Sequence, residues 1–121
     1  IISAEAQHWH CVENAMLSAW KKTRRNRNRR TIIHGDSVEA SHLFDDGVLD
    51  FVFIDAMHTY EGVRRDLIWC EKVRPGGLVC GHDYGSKRHV GVKQAVDEHI
   101  AATGFDLHVT EKGQIWWYKN E

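Results

Sequence analysis

Six residues of this chain combine types and spacings that could do chemistry. Asp36 and Ser37 follow one apolar run, Asp55 and His58 a second, and His82 and Asp83 a third. Two carboxylates at neighbouring strand ends repel unless a cation or a proton sits between them. Mg2+ suits such oxygen ligands, often taking only one or two carboxylates plus waters. Nitrogen donors from His58 and His82 would move the preference toward Mn2+, Fe2+ or Zn2+. The competing reading is that Asp55 and Asp83 cap the helices that follow, while the histidines make local hydrogen bonds. His58 stands three residues after Asp55. An unperturbed imidazole titrates near pH ~6.5, which suits a general base; a hydrogen-bonded loop histidine is the equal alternative.

These residues need elements to position them. From Ala6 to Lys22 there is no Gly or Pro, and Trp9, Val12, Met16, Ala19 and Trp20 recur at helical steps, which predicts a helix with one apolar face. Thr31 to His34 reads as a short strand, and Ser37 as the cap of a short helix. Leu49 to Ile54 is the clearest strand, and its continuous run Phe51 to Ile54 suits a strand covered on both faces. A helix is expected over about 60–72, stopped by Pro75-Gly76-Gly77, and then a strand at Leu78 to Cys80. A further helix over about 90–102 ends at Gly104. Strands at Phe105 to Val109 and Ile115 to Tyr118 flank a turn at Lys112-Gly113.

Strands alternating with helices predict an α/β fold, a mostly parallel sheet with a C-terminal antiparallel hairpin at its edge. In such sheets ligands bind outside the carboxyl ends of the strands, where all six residues fall. The expected organisation is one domain over 1–121, a helix with a basic tail to residue 30 followed by an α/β core from 31. Pro75-Gly76-Gly77 precedes a strand, whereas a phosphate loop follows one. Neither GxGxxG nor GxxxxGK[ST] occurs, which argues against a complete dinucleotide-binding half or an NTPase.

Read together, Gly35-Asp36-Ser37, the stretch FIDAMHTYE at 53–61, RPGG at 74–77, GHDY at 81–84 and GVKQAV at 91–96 resemble the later half of a class I S-adenosylmethionine-dependent methyltransferase. The branch they resemble is the small-molecule O-methyltransferases of the macrocin and cephalosporin-hydroxylase type, over roughly Thr31 to Ile100. The resemblance implies a truncated Rossmann-like fold and methyl transfer from S-adenosyl-L-methionine to a small hydroxylated acceptor, assisted by Mg2+ or Mn2+. By that resemblance Asp36 and Ser37 border the cofactor's adenine. Asp55 matches the acid that binds the metal in metal-dependent members and also lies at the cofactor. His58 matches the base of a D-x-x-H-x-Y pattern. His82 and Asp83 match the polar pair that completes the metal site. Family members open with a glycine-rich strand-loop-helix and an acid for the ribose, and neither is recognisable here. Glu5 stands nearest to the ribose position, and Ile1-Ile2 reads as a strand stub. A homo-oligomer that completes the sheet is the expected resolution.

Composition narrows the rest. Of 121 residues, 42% are hydrophobic and 27% charged, as in globular domains. No stretch approaches the roughly 20 apolar residues of a membrane span. Three widely spaced cysteines, Cys11, Cys70 and Cys80, fit a reducing, cytoplasmic setting better than a disulfide framework. A zinc site from His8, His10 and Cys11 is disfavoured, because an i,i+2 pair does not face one way on a helix. The net charge of −1 hides segregation: residues 21–30, KKTRRNRNRR, hold seven of the sixteen Lys and Arg. The remaining nine face all seventeen acids, which leaves −8 on the rest of the chain. This basic run, with nearby tryptophans, supports an alternative function as a non-catalytic oligomeric or RNA-binding module.

Overall fold

The computed structural model describes residues 9–121, with side chains from Asn14 onward. Helix α1 (Trp9–Lys22) ends on Lys21 and Lys22, cations that sit well against the negative end of the helix dipole. It runs into a six-residue 3-10 segment, Arg24–Arg29. Helix α2 (Ser37–Ser41) is capped by Asp36, whose carboxylate accepts from the backbone N–H of Val38 and Glu39. Strand β1 (Leu49–Ile54), helix α3 (Tyr60–Asp66), strand β2 (Val73–Gly81) and helix α4 (Val90–Thr103) follow, and then strands β3 (His108–Val109) and β4 (Trp116–Lys119). No helix among the described residues is long and apolar enough to cross a membrane.

The four strands form one sheet in the order β1-β2-β4-β3. Only β1 and β2 run parallel, while β2–β4 and β3–β4 are antiparallel. The expectation of a mostly parallel sheet is therefore wrong: the sheet is mixed and mostly antiparallel. Two physical causes act. Among the described residues, 31–33 form no strand and His34 makes a bridge rather than a ladder; strand structure is counted only where a ladder forms. The C-terminal hairpin also enters by its inner strand. Trp116 and Tyr118 are 1% and 0% exposed, so β4 takes the central place beside β2, and the two exposed residues of β3 take the edge.

Smaller differences follow the same logic. The helix expected to 72 tightens after Asp66 into a 3-10 turn, Leu67–Lys72, the usual way a helix closes before the chain changes direction. Pro75-Gly76-Gly77 does not precede β2 but lies inside it, where the register slips from Leu49↔Val73 to Phe51↔Leu78. Gly76 has φ +77, and a Cβ on Gly77 would come within 2.8 Å of the Asp50 carbonyl oxygen, so only glycine fits this bulge. Gly104 caps α4 in the left-handed conformation, φ 76.

The core occupies one face of the sheet. Ile54, Val79, Trp116 and Tyr118 meet Val63 from α3, Leu67 and Cys70 from the 3-10 turn, and Val92, Ala95 and Val96 from α4. On the other face Phe51 and Phe53 remain 60% and 46% exposed. The apolar run of β1 is thus covered on one side only by the described residues, not on both. Helices α3 and α4 cross closely at their N-termini. A Cβ on Gly91 would stand 2.3 Å from the backbone nitrogen of Tyr60. Gly91→Ala is expected to force these helices apart and cost about 1–3 kcal/mol, read as a lower urea midpoint.

Tyr118 is fully buried, and its hydroxyl lies 2.7 Å from Nε2 of His99. Burial lowers the His99 pKa from 6.5, so the unfolded chain takes up a proton there more readily than the folded one. Stability should be intact above pH 6.5 and fall as the pH drops below it. His99→Gln should flatten that slope in thermal melts between about pH 6.5 and pH 5.5.

Candidate functional site

The site is built where β1 and β2 end side by side. Their last paired residues are Ile54 and Gly81. The backbone N–H of His82 still donates to the Ile54 carbonyl at 3.1 Å, so the two strands release their chains at the same level. Asp55 leaves β1 there, and His82 and Asp83 leave β2. His58 sits on the short loop into α3, one residue before Thr59, whose hydroxyl caps that helix by accepting from Gly62 N–H at 3.2 Å.

Nε2 of His58 lies 2.9 Å from Asp83 Oδ2 and 3.4 Å from Asp55 Oδ1. One ligand atom from each of Asp55, His58 and Asp83 falls within 4.8 Å of the others. Nδ1 of His82 lies 3.2 Å from the same Asp83 oxygen. Of the residues expected to hold a metal, Asp55 and Asp83 thus meet with His58, and His82 contacts the cluster through that shared Asp83 oxygen. Asp83 is the least exposed of the four side chains, at 18%. Burial pushes its carboxyl up, but the His82 hydrogen bond and the charges of His58, His82 and His89 outweigh this and hold it below the usual carboxylate range. The competing reading, in which Asp55 and Asp83 cap helices, finds no support in the caps: Thr59 precedes α3, and His89 precedes α4.

Asp83 is also the one described non-glycine residue at positive φ, +61. That left-handed conformation costs an L-residue about 1–2 kcal/mol, although Asp tolerates it better than most. The turn around it is held by Gly85 N–H donating to the Gly113 carbonyl and by Tyr84. The Tyr84 hydroxyl donates to Asp97 at 2.6 Å and accepts from Lys93 at 3.1 Å.

The residues expected at the cofactor divide. Ser37 is buried, and its hydroxyl oxygen accepts from Trp69 Nε1–H at 2.9 Å. Ser37 and Asp55 line one cavity of about 420 Å3 that runs along β1 and is walled by Phe51, Phe53 and Trp69. Asp36 is committed elsewhere. Its carboxylate caps α2 and pairs with Arg65 at 3.3 Å, and the backbone N–H of Glu39 is the main cause of its lowered pKa. Glu5 and the His8, His10 and Cys11 alternative lie outside the described side chains.

Two residues escaped the sequence reading. The His89 ring lies against His58 in a tilted contact, with centroids 4.3 Å apart. Asp66, 4% exposed, forms part of the cavity wall, and its Oδ2 has no hydrogen-bond partner; burial raises its pKa. Neither carried a local signal: one stands in a polar loop, the other on an apparently solvated helix. The strain at Asp83 has a measurable consequence. Asp83→Gly should leave the urea midpoint unchanged or higher, whereas Asp83→Val should lower stability by about 1–2 kcal/mol.

Comparison with known proteins places the chain in a family. A family model described as a methyltransferase domain matches residues 2–84, the span that carries Asp36, Ser37, Asp55, His58, His82 and Asp83. Among solved structures, the O-methyltransferase NovP is 26% identical, with 61% of this chain and 30% of that chain covered and a TM-score of 0.52. A putative O-methyltransferase from Klebsiella pneumoniae is 22% identical, with 99% of this chain and 60% of that chain covered and a TM-score of 0.57; at that identity the likeness is one of fold. The chain therefore spans less than two thirds of either structure's length. No curated protein matches it. With the family model matching well over half of its residues and the site lying inside the match, the chain belongs to the methyltransferase-domain family.

Proposed function

We propose that this domain takes part in S-adenosyl-L-methionine-dependent O-methyl transfer to a small hydroxylated acceptor, with a divalent cation at Asp55 and Asp83. The observation that carries this reading is the convergence of Asp55, His58 and Asp83 within 4.8 Å at the carboxyl ends of two parallel neighbouring strands. The motif resemblance to O-methyltransferases of the macrocin type supports a small acceptor, and the names of both similar structures support the reaction class.

The donor set fits a small cation. Two carboxylates at these separations suit Mg2+ or Mn2+, with waters completing the shell. When bound, such a cation favours the deprotonated form of an acceptor hydroxyl, and the cofactor offers a methyl group on a sulfonium. The cavity beside Ser37 and Asp55 has a volume typical of a small-molecule site, and its aromatic walls suit a planar ring. His58 directs Nε2–H at the ionised Asp83 carboxylate, 2.9 Å away, which leaves Nδ1 as the nitrogen that takes the hydroxyl proton. The tilted contact with His89 and the hydrogen bond to Asp83 keep the ring from turning away. Most of the remaining acceleration comes from holding the two reactants in line.

Isothermal titration tests the cofactor first. Saturable binding of S-adenosyl-L-methionine near one per chain, with Mg2+ or Mn2+ present, is expected, and a folded chain that binds none would refute the reading. Asp55→Ala and Asp83→Ala should lose Mn2+ binding. His58→Ala should keep the Mn2+ and lower methyl transfer by about 10²–10⁴-fold. Loss of Mn2+ in that last variant would make His58 a ligand and remove it as the base.

A further inference from the structure

The chain between β2 and α4 leaves the site and returns to it. Asp83, at one end of this connection, lies 2.9 Å from Nε2 of His58. His89, at the other end, lies against the same imidazole. Backbone hydrogen bonds wind the segment between them. Ser86 N–H donates to the Asp83 carbonyl at 3.1 Å, His89 N–H to the Ser86 carbonyl at 3.2 Å, and Val92 N–H to the His89 carbonyl at 3.0 Å. Turns of this kind bend a chain without requiring a left-handed residue. Asp83 nevertheless stands at φ +61, a conformation disfavoured in an L-residue. Some other contact must hold it there, because a relaxed backbone would carry the carboxylate away from His58.

Tyr84 is the residue placed to do so. It follows Asp83 directly, and its ring packs against the core. Its hydroxyl is engaged twice on α4, donating to Asp97 at 2.6 Å and accepting from Lys93 at 3.1 Å. Lys93 Nζ also pairs with Asp97 at 2.5 Å and stands 4.8 Å over the centre of the Tyr84 ring. Lys93 and Asp97 are one turn apart on the same helix, where side chains four residues apart are neighbours. The three groups thus close a ring of contacts with two members fixed to a rigid element. The Lys93–Asp97 pair is half-exposed, and such a pair alone contributes little to stability. Packing needs only the aromatic ring. The two partners of the hydroxyl add direction rather than buried area.

We propose that Tyr84 is a positioning residue: locked between Lys93 and Asp97, it holds the preceding Asp83 in its left-handed conformation and so fixes that carboxylate against His58 and Asp55. The consequence rests on the reading of Asp55 and Asp83 as ligands of a divalent cation. Helix α4 then sets the affinity of the site for that cation through Tyr84, although neither Lys93 nor Asp97 is a ligand.

Mn2+ titration followed by electron paramagnetic resonance, with a urea melt of each variant, tests this. Tyr84→Phe keeps the ring in the core and removes only the hydroxyl. Its dissociation constant for Mn2+ should rise about tenfold in protein that remains folded. Asp97→Ala should raise it by a similar factor, and the two substitutions together by no more than either alone, as for residues that act through one contact. Asp97→Asn keeps an acceptor for the hydroxyl and should retain most of the affinity. A role confined to packing would lower the urea midpoint and leave Mn2+ binding by the folded protein unchanged. That result would overturn the proposal, as would factors that multiply in the double variant. A metal-free comparison separates this from failure of the cation reading. Asp83→Gly relieves the left-handed cost only while Tyr84 enforces it, so its effect on the urea midpoint should be less favourable in Tyr84→Phe than in the intact chain. An intact chain that takes up no Mn2+ would refute the cation reading, and the urea comparison would still decide the role of Tyr84. Equal effects of Asp83→Gly in both backgrounds would overturn it.

Discussion

The contact between Gly81, Ile54 and the Trp116 ring sets the geometry on which the rest of the structure depends. A side chain at Gly81 would meet the Ile54 carbonyl oxygen and the Trp116 ring at 2.6 Å each. Because none is present, the last turn of the β1–β2 ladder closes directly over the indole, and both strands end at one level. The same contact seats β4 beside β2. Trp116 is almost wholly buried, and truncating such a residue typically removes about 3–5 kcal/mol. Sheet order, core and site therefore share a single packing event.

The site's polar groups are held by a chain of local constraints, each inexpensive by itself. Thr59 starts α3 one residue after His58. Asp83 accepts a left-handed backbone that aims its carboxylate back between His58 and His82. Three imidazoles then surround one partly buried carboxylate and keep it ionised. An arrangement that spends backbone strain to hold a charge in place is common at functional sites and has no evident use in the core of this small sheet.

The mixed sheet explains why the molecule has one finished face and one open face. Helices α3 and α4, with the 3-10 turn between β1 and β2, all lie on the side of Val79 and Trp116. Connections of this kind bury one side of a parallel pair, and the other side needs helices from elsewhere.

Local chemistry in the sequence determined a good deal. The αL end of α4 follows from Gly104, because such turns depend on one residue; the short helix α2 stands where expected, but its cap is Asp36 and not Ser37, which is the first residue inside it. The apolar runs of β1 and of β2 from Leu78 were legible for the same reason, as was the placement of Asp55, His58, His82 and Asp83 beyond their ends. What required tertiary structure was everything that depends on a partner strand or a neighbouring loop. Thr31 to His34 has the residues of a strand but joins no ladder of the four described strands beyond the bridge at His34, and the hairpin's insertion by its Trp116 strand turned an expected parallel sheet into a mostly antiparallel one. His89 enters the site at the start of α4, where that helix crosses α3 over Gly91, and Asp66 enters the cavity wall from the far end of α3. Periodicity reports which residues want burial; the order in which strands meet is decided by which of them bury most, and no single segment contains that comparison.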